Sequence, residues 1–481
     1  MPAGSSGGFW KDKEDPMVFS SITFLFAFLA ATLLIYYCCP LKGKNWVLAL
    51  SGLVFYAWGE PVYIVLMIFS TLVDYTAGRI IHRYADRPGI RKAALIASIV
   101  IELGLLGVFK YSSFLVGTVN GLLGLSLPDP ALPLPIGISF YTFQSMSYTI
   151  DLYRGDTRVQ KNYIYYLAYV SMFPQLVAGP IVRYEDIARE LESRTVDLEK
   201  IGQGAFLFAV GLGKKALLAN NIGQLWTQVK ALSGDHMPAV TAWLGILAFT
   251  FQIYFDFSGY SDMACGMGRM LGFTFPQNFR YPYMAKSVSD FWRRWHITLS
   301  SWFKSYVYIP LGGNRKGTPR TIRNLLVVWL FTGLWHGASW NFVLWGLYFG
   351  VLLIVEKFFL GKYLERLPAW IQRLYAFLLV VLGWVFFELE SPAAIGTFLQ
   401  SLVGAGGFAD GYSGYLLLTF GVLLVLCVIA SNDWLPRLWT RAEGRWPAAG
   451  TLRPVWMAAL LAASLAFLVN ATYNPFLYFR F

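Results

Sequence analysis

Charge is what this chain has least of. Only 14% of its 481 residues are Asp, Glu, Lys or Arg, while 56% are hydrophobic. A water-soluble body of that size could not cover so much apolar surface with so few polar groups, so a soluble fold is excluded. Cysteine is scarce too: Cys38 and Cys39 are adjacent, and Cys265 and Cys427 lie in apolar segments. They read as small hydrophobes rather than a disulfide framework. From residue 17 onward several catalytic signatures are missing, among them Gly-x-Ser-x-Gly, His-Glu-x-x-His and Cys-x-x-Cys. Gly211-Leu-Gly213-Lys-Lys215 lacks both the spacing and the hydroxyl of a phosphate-binding loop. Serine-hydrolase, zinc and nucleotide-hydrolysis chemistry therefore find no support, and no metal site is expected.

What the chain has is apolar runs. Windows near the ~20 residues that cross a bilayer recur along it. They fall at 22–39, 45–58 with 62–78, 93–117, 162–182, 239–257, 325–355, 374–387, 415–431 and 455–471. The pattern predicts an all-α polytopic membrane protein of roughly ten to twelve spans on that ruler. No cleavable signal peptide is evident. Residues 1–16 read as an N-terminal extension, and no composition shift divides 17–481 into further domains.

The formal net charge is +12. Its basic residues sit in short loops beside apolar runs, which the positive-inside rule explains without a nucleic-acid partner. One loop holds Arg79, His82, Arg83, Arg87, Arg91 and Lys92; another holds Lys304, Arg315, Lys316, Arg320 and Arg323. Both are expected in the cytoplasm, with His82 a solvated loop residue and His236 another. Two segments are broken by Gly and Pro at membrane depth: Leu134-Pro-Ile-Gly-Ile-Ser139 and Phe173-Pro-Gln-Leu-Val-Ala-Gly-Pro180. Such backbone is tolerated where protein or a water-filled cavity surrounds it, so the breaks read either as a funnel or as kinked helices.

The chain has four histidines, and two lie between Asp290 and Gly346. Taken as one helix, 290–305 places Trp292, Trp295, His296, Leu299 and Phe303 on one face, with Arg294, Thr298, Ser301 and Ser305 opposite. Asp290 can pair with Arg294 across one turn. A face rich in Trp opposite a basic one describes a helix lying in the membrane interface. In the following run, His336 lies 13 residues beyond Arg323. That is about 20 Å of helix, deep in the bilayer. An ionisable side chain there is expensive, and a near-neutral imidazole is the usual group for taking a proton from a hydroxyl. Gly333, Gly337, Ala338 and Ser339 around it permit close helix packing or leave room for a narrow substrate. Trp335 and Asn341 of the same run, with Asp290, Trp292, Arg293 and Arg294, are candidate substrate or tunnel residues. Asp256 and Asp262, in Phe251-Gln-Ile-Tyr-Phe-Asp-Phe-Ser-Gly-Tyr-Ser-Asp262, could orient a histidine, line a tunnel or mark a helix end.

At these motifs the chain resembles the membrane-bound O-acyltransferases, in the bacterial branch that includes alginate O-acetyltransferase. The landmarks run from Met17-Val-Phe-Ser-Ser21 and Phe173–Pro180 through Gln252–Asp262, Asp290–Ser300, Tyr308-Ile-Pro-Leu-Gly-Gly-Asn-Arg315 and Gly333–Trp340 to Phe476-Leu-Tyr-Phe-Arg-Phe481. The resemblance implies a ring of helices around a central funnel, with His336 at the family's invariant histidine and His296 at its second polar position. It implies transfer of an acyl group from a cytoplasmic thioester donor, acetyl-CoA or an acyl carrier, with no bound cofactor. The acyl group would reach an extracellular polysaccharide, with an exported or membrane-anchored partner, from the bacterial inner membrane. The rival readings are a transporter or flippase, whose expected inverted repeats are not found, and a non-catalytic scaffold of a secretion complex.

Overall fold

The computed structural model describes residues 17–470 and Leu477, apart from 233–234 and 446. The 1–16 extension and most of the terminal Phe476–Phe481 motif lie outside the described residues. Among those described, every regular element is a helix. Helices alone satisfy their own backbone hydrogen bonds where no water can.

In chain order these are α1 (Thr23–Cys38), α2 (Leu41–Gly59), α3 (Ile64–Arg83) and α4 (Pro88–Leu123). Four shorter helices follow: α5 (Ile138–Arg154), α6 (Tyr163–Ser171), α7 (Phe173–Leu176) and α8 (Tyr184–Glu192). Next come α9 (Leu198–Lys230), α10 (Ala239–Met270), α11 (Val288–Trp292) and α12 (Ile297–Phe303). The chain ends with α13 (Thr318–His336), α14 (Trp340–Leu364), α15 (Ala369–Glu388), α16 (Pro392–Leu402), α17 (Gly411–Ala430), α18 (Trp434–Arg445) and α19 (Gly450–Asn470).

Eight of these (α3, α4, α9, α10, α14, α15, α17 and α19) are long and apolar enough to cross a bilayer, fewer than the ten to twelve that apolar windows predict. The 22–39 window forms only the shorter apolar helix α1. α5, which no window marks, carries Ser139, Thr142, Gln144, Ser145, Ser147 and Thr149, all buried, since a helix enclosed by other helices needs no lipid-compatible surface. The 162–182 window is not a span at all, because it breaks after Ser171 into α6 and the single turn α7. Both Gly/Pro segments are thus real breaks rather than kinks, and the second is wholly buried in protein. Gly137 opens α5 with φ +74°, and a Cβ there would sit 2.9 Å from the carbonyl of Leu176.

α10 is the hub. Its apolar window is 83% buried, against 11% for α19 at the rim. It lies against α9 through paired glycines, since a Cβ on Gly211 would come within 2.5 Å of the Gly259 carbonyl.

The basic loops gather at one end of the bundle. The α3–α4 turn with Arg83, Arg87 and Arg91 adjoins the end of α5, where Arg91 donates to the Tyr153 carbonyl at 2.9 Å. Arg154 in turn donates to the carbonyl of Ser305, after α12. Asn45 at the start of α2 reaches the Leu191 carbonyl, and Arg194 reaches Asn45 and Tyr36. The Tyr36 hydroxyl donates to the Leu271 carbonyl just past α10. Both basic loops therefore share one end with the termini of α1, α2, α8 and α10, here called the basic face.

Candidate active site

The segment 290–305 is not the single helix its periodicity predicts. α11 stops at Trp292, Arg293 to His296 form a turn, and His296 takes left-handed backbone angles (φ +43°, ψ +54°) before α12 begins. A left-handed residue with a Cβ costs about 1–2 kcal/mol, and hydrogen bonds hold it there. Ile297 N–H donates to the Asn278 main-chain carbonyl at 2.9 Å, and Arg280 N–H donates to that of Arg294. Asn278 Oδ1 accepts from Thr298 N–H at 3.2 Å and from Thr298 Oγ1 at 2.9 Å, and lies 3.1 Å from His296 Nδ1. Because a backbone N–H can only donate, that Asn atom is the oxygen. His296 Nδ1 therefore carries the proton and Nε2 is the basic nitrogen. Thr298 Oγ1 also accepts from Ile181 N–H at 3.0 Å, tying the broken Phe173–Pro180 segment to the same turn.

α11 is short and held at its start. Ser287 Oγ caps Asp290 N–H, and the buried Glu356 carboxylate accepts from the N–H groups of Val288 (2.6 Å) and Ser289 (2.8 Å). An anion at a helix N-terminus is favourable. Asp290 pairs with Arg294 at 2.9 Å, the predicted one-turn contact. Arg294 is thereby engaged, while Arg293 is exposed. Trp292 points inward, edge-on to Trp329 (4.6 Å), Phe349 (5.0 Å) and Trp345 (5.6 Å).

His336 is the last residue of α13 and is 2% exposed. The Trp335 ring touches both histidines, 5.8 Å from His296 and 5.0 Å from His336. Trp345 and Phe387 close the other sides of His336 at 4.9 and 5.4 Å, and Phe257 stands 4.7 Å from His296. The structure thus brings both predicted histidines, with Trp292 and Trp335, into one aromatic compartment. The two glycines around His336 serve packing. A Cβ on Gly333 would meet the Phe342 carbonyl at 2.3 Å, and one on Gly337 the Phe342 ring at 2.1 Å. Asn341 bridges α14 to α15 through the Phe387 carbonyl at 3.1 Å.

The two predicted carboxylates lie elsewhere. Asp256 forms a buried ion pair with Lys215 at 2.6 Å and accepts from Leu477 N–H at 2.8 Å. Asp262 pairs with Lys214 at 2.6 Å. Neither lies against a histidine; they pin α10 to α9. His82 and His236 are exposed, as expected.

Residues the motifs did not single out complete the site. Lys110 lies in a widened turn of α4, buried, and donates to Ser139 Oγ (3.1 Å) and to the Trp335 carbonyl. Tyr111 donates to the Leu334 carbonyl at 2.7 Å. A lysine inside the apolar 93–117 window was the available signal. Asn278 sits in an irregular stretch with no periodicity to mark it. Behind it, a cavity of about 800 Å³ opens among α9, α10 and α19. Its lining includes Asn278, Asp262, Arg269, Gln203, Glu199 and Arg453, toward the basic face. Arg453 grips Glu443 through both carboxylate oxygens at 2.7 and 2.8 Å and holds that carboxyl below the usual carboxylate range.

Sequence comparison points the same way. The profile of the membrane-bound O-acyltransferase family matches residues 137–381. The chain is 42% identical to the probable alginate O-acetylase AlgI of Azotobacter vinelandii, over 78% of this chain and 76% of that one. It is 37% identical to the probable alginate O-acetylase AlgI of Pseudomonas aeruginosa, over 97% and 100%. It is also 34% identical to the peptidoglycan O-acetyltransferase of Helicobacter pylori, over 81% and 80%. With two buried histidines at the centre of a helical membrane bundle, the chain belongs to the membrane-bound O-acyltransferase family and is an O-acyltransferase.

Proposed function

We propose that this protein moves an acetyl group from a cytoplasmic thioester donor, acetyl-CoA or an acyl carrier, to a hydroxyl acceptor reached from the opposite side. The end product is an O-acetylated extracellular polysaccharide of the alginate class, made with an exported or membrane-anchored partner. The observation that carries this reading is the cavity near the basic face whose lining includes Asn278, the residue holding His296. By the positive-inside rule we read that face as cytoplasmic, and we read the membrane as the bacterial inner one. Arg269 in the lining makes no ion pair among the described residues, and suits the phosphates of a nucleotide-bearing donor better than Arg293 or the engaged Arg294.

The chemistry then follows from the two imidazoles. His336 removes the acceptor hydroxyl proton as the oxygen attacks the thioester carbonyl carbon. The tetrahedral intermediate expels the thiolate, which takes the proton from the His336 imidazolium. His296, with its basic Nε2 set by Asn278, orients the thioester group on the donor side. The packed aromatic rings exclude water, which would otherwise hydrolyse the thioester.

The test compares the O-acetyl content of secreted polysaccharide in cells carrying wild-type, His336→Ala or His296→Ala protein at matched membrane levels. Loss of ester in both variants is expected. Full ester content with His336→Ala would remove the general-base assignment.

A further inference from the structure

We infer that the basic face carries a second anion site, built for the phosphate of an anionic phospholipid headgroup and separate from the donor cavity. A pocket of about 610 Å³ lies between the end of α3, the start of α4 and the end of α5. His82, Arg91, Arg158 and Lys161 line it, with Glu192 the only carboxylate in the lining. Three fixed cations therefore face one anion, and no ion pair involves any of these residues among those described. Arg91 is stacked on Tyr153 (5.2 Å) and held by the Tyr153 carbonyl through one Nη. A guanidinium oriented in this way on one side is suited to offer its other Nη to a phosphate oxygen.

The floor of the pocket is preformed. Gln160 is buried, and its amide donates to Tyr184 Oη at 3.0 Å while its N–H donates to Tyr148 Oη at 3.0 Å. Lys161 is pinned through its carbonyl by Tyr75 Oη at 2.6 Å. Arg158 and Lys161 thus stand on a braced loop and not on a free one.

The surroundings select a lipid over a soluble phosphate. Farther along the same two helices, Phe69, Leu72, Ile96 and Val100 are exposed apolar side chains, each at least 45% accessible. A headgroup in the pocket would leave its acyl chains against this lipid-facing surface. Basic clusters between helices at the cytoplasmic interface attract anionic lipids in this way.

The experiment uses full-length wild-type protein and an Arg158→Glu/Lys161→Glu variant, in phosphatidylcholine nanodiscs with or without phosphatidylglycerol. Both changed residues are exposed, and neither belongs to the acyl-transfer site. The readouts are the melting-temperature shift caused by phosphatidylglycerol and the retained phosphatidylglycerol counted by native mass spectrometry. Wild type should be stabilised and retain the lipid. The variant should bind it about tenfold or more weakly, since each lost charge-assisted contact is worth about a factor of ten. An Arg158→Lys/Lys161→Arg variant keeps the charge and should behave as wild type, separating charge from folding. Equal lipid retention by wild type and the charge-reversed variant would overturn the proposal. So would a shift given by inorganic phosphate in phosphatidylcholine discs and not by phosphatidylglycerol, which would assign the pocket to a soluble phosphate.

Discussion

The Lys110 ammonium donates to the main-chain carbonyl of Trp335, which immediately precedes His336. With Tyr111 on the Leu334 carbonyl, one widened turn of α4 satisfies two successive carbonyls at the end of α13. The last carbonyls of a helix lack intrahelical partners, and a cation there also meets the negative end of the helix dipole. Lys110 is therefore a positioning residue that fixes where the His336 ring stands.

Lys110→Met should leave two buried carbonyl and hydroxyl groups without their donor. A hydrogen bond to a charged group is worth about 1.5–3 kcal/mol, so acyl transfer should fall about tenfold or more as His336 loses its fixed position. Initial rates of O-acetylation in membranes with matched protein levels check this. An unchanged rate would show that the α13 terminus holds its shape without the lysine.

Asn278 should matter as much, for a different reason. Asn278→Ala removes the acceptor that keeps the His296 proton on Nδ1 and also frees Thr298, which the same oxygen holds. Losing such a buried partner costs about 1–3 kcal/mol, a fall in rate of about tenfold or more. Asn278→Asp keeps an acceptor oxygen and should retain more activity than the alanine variant. The ordering of the two rates is the diagnostic.

Sequence reading recovered the parts of this site that hydropathy marks and missed those that irregular backbone places. His336 stood out because an imidazole interrupts a long apolar run, and the Asp290–Arg294 pair because helical spacing survives within one turn. The helix assumed over 290–305 failed for a physical reason. Trp292, Trp295, His296, Leu299 and Phe303 are buried on both sides of the break, so an apolar stripe persists across a turn. Nothing in the spacing shows that His296 turns left-handed. Asn278 reaches His296 from an irregular segment, where periodicity gives no information. The pairing of Asp256 and Asp262 was not legible because their lysine partners, Lys215 and Lys214, lie more than forty residues earlier on the neighbouring helix, although Asp262 does line the cavity behind Asn278.

That pairing makes a stability prediction. The Asp256 and Lys215 side chains are 3% and 4% exposed, with 2.6 Å between charged atoms. Asp256→Ala breaks this buried ion pair, which costs about 3–5 kcal/mol. Adding Lys215→Met removes the second buried charge and should recover much of the loss. Melting of purified protein, followed by size-exclusion chromatography, distinguishes the single from the double variant. A double variant no more stable than Asp256→Ala would mean that the pair is not the source of the effect.

The hairpin of α13 and α14 supplies the sharpest structural test, because it carries His336. A Cβ on Gly346 would fall 2.3 Å from the Trp329 carbonyl, and one on Gly333 the same distance from the Phe342 carbonyl. Neither obstacle is the end of a flexible side chain, so the helices themselves must separate. Overpacking of this kind costs about 1–3 kcal/mol, and here it also displaces Trp335 and the histidine beside it. Gly346→Ala should therefore lower both the melting temperature and the acetylation rate. Gly104, in the middle of α4, faces open space, with nothing within 4 Å of an added Cβ. Gly104→Ala should be neutral or stabilising, because alanine is the better helix former by about 0.5–1 kcal/mol. The two variants add the same methyl group to apolar helices of one protein, so any difference between them measures helix contact and not helix propensity. If both melted alike, the close approach that sets the position of His336 would not exist.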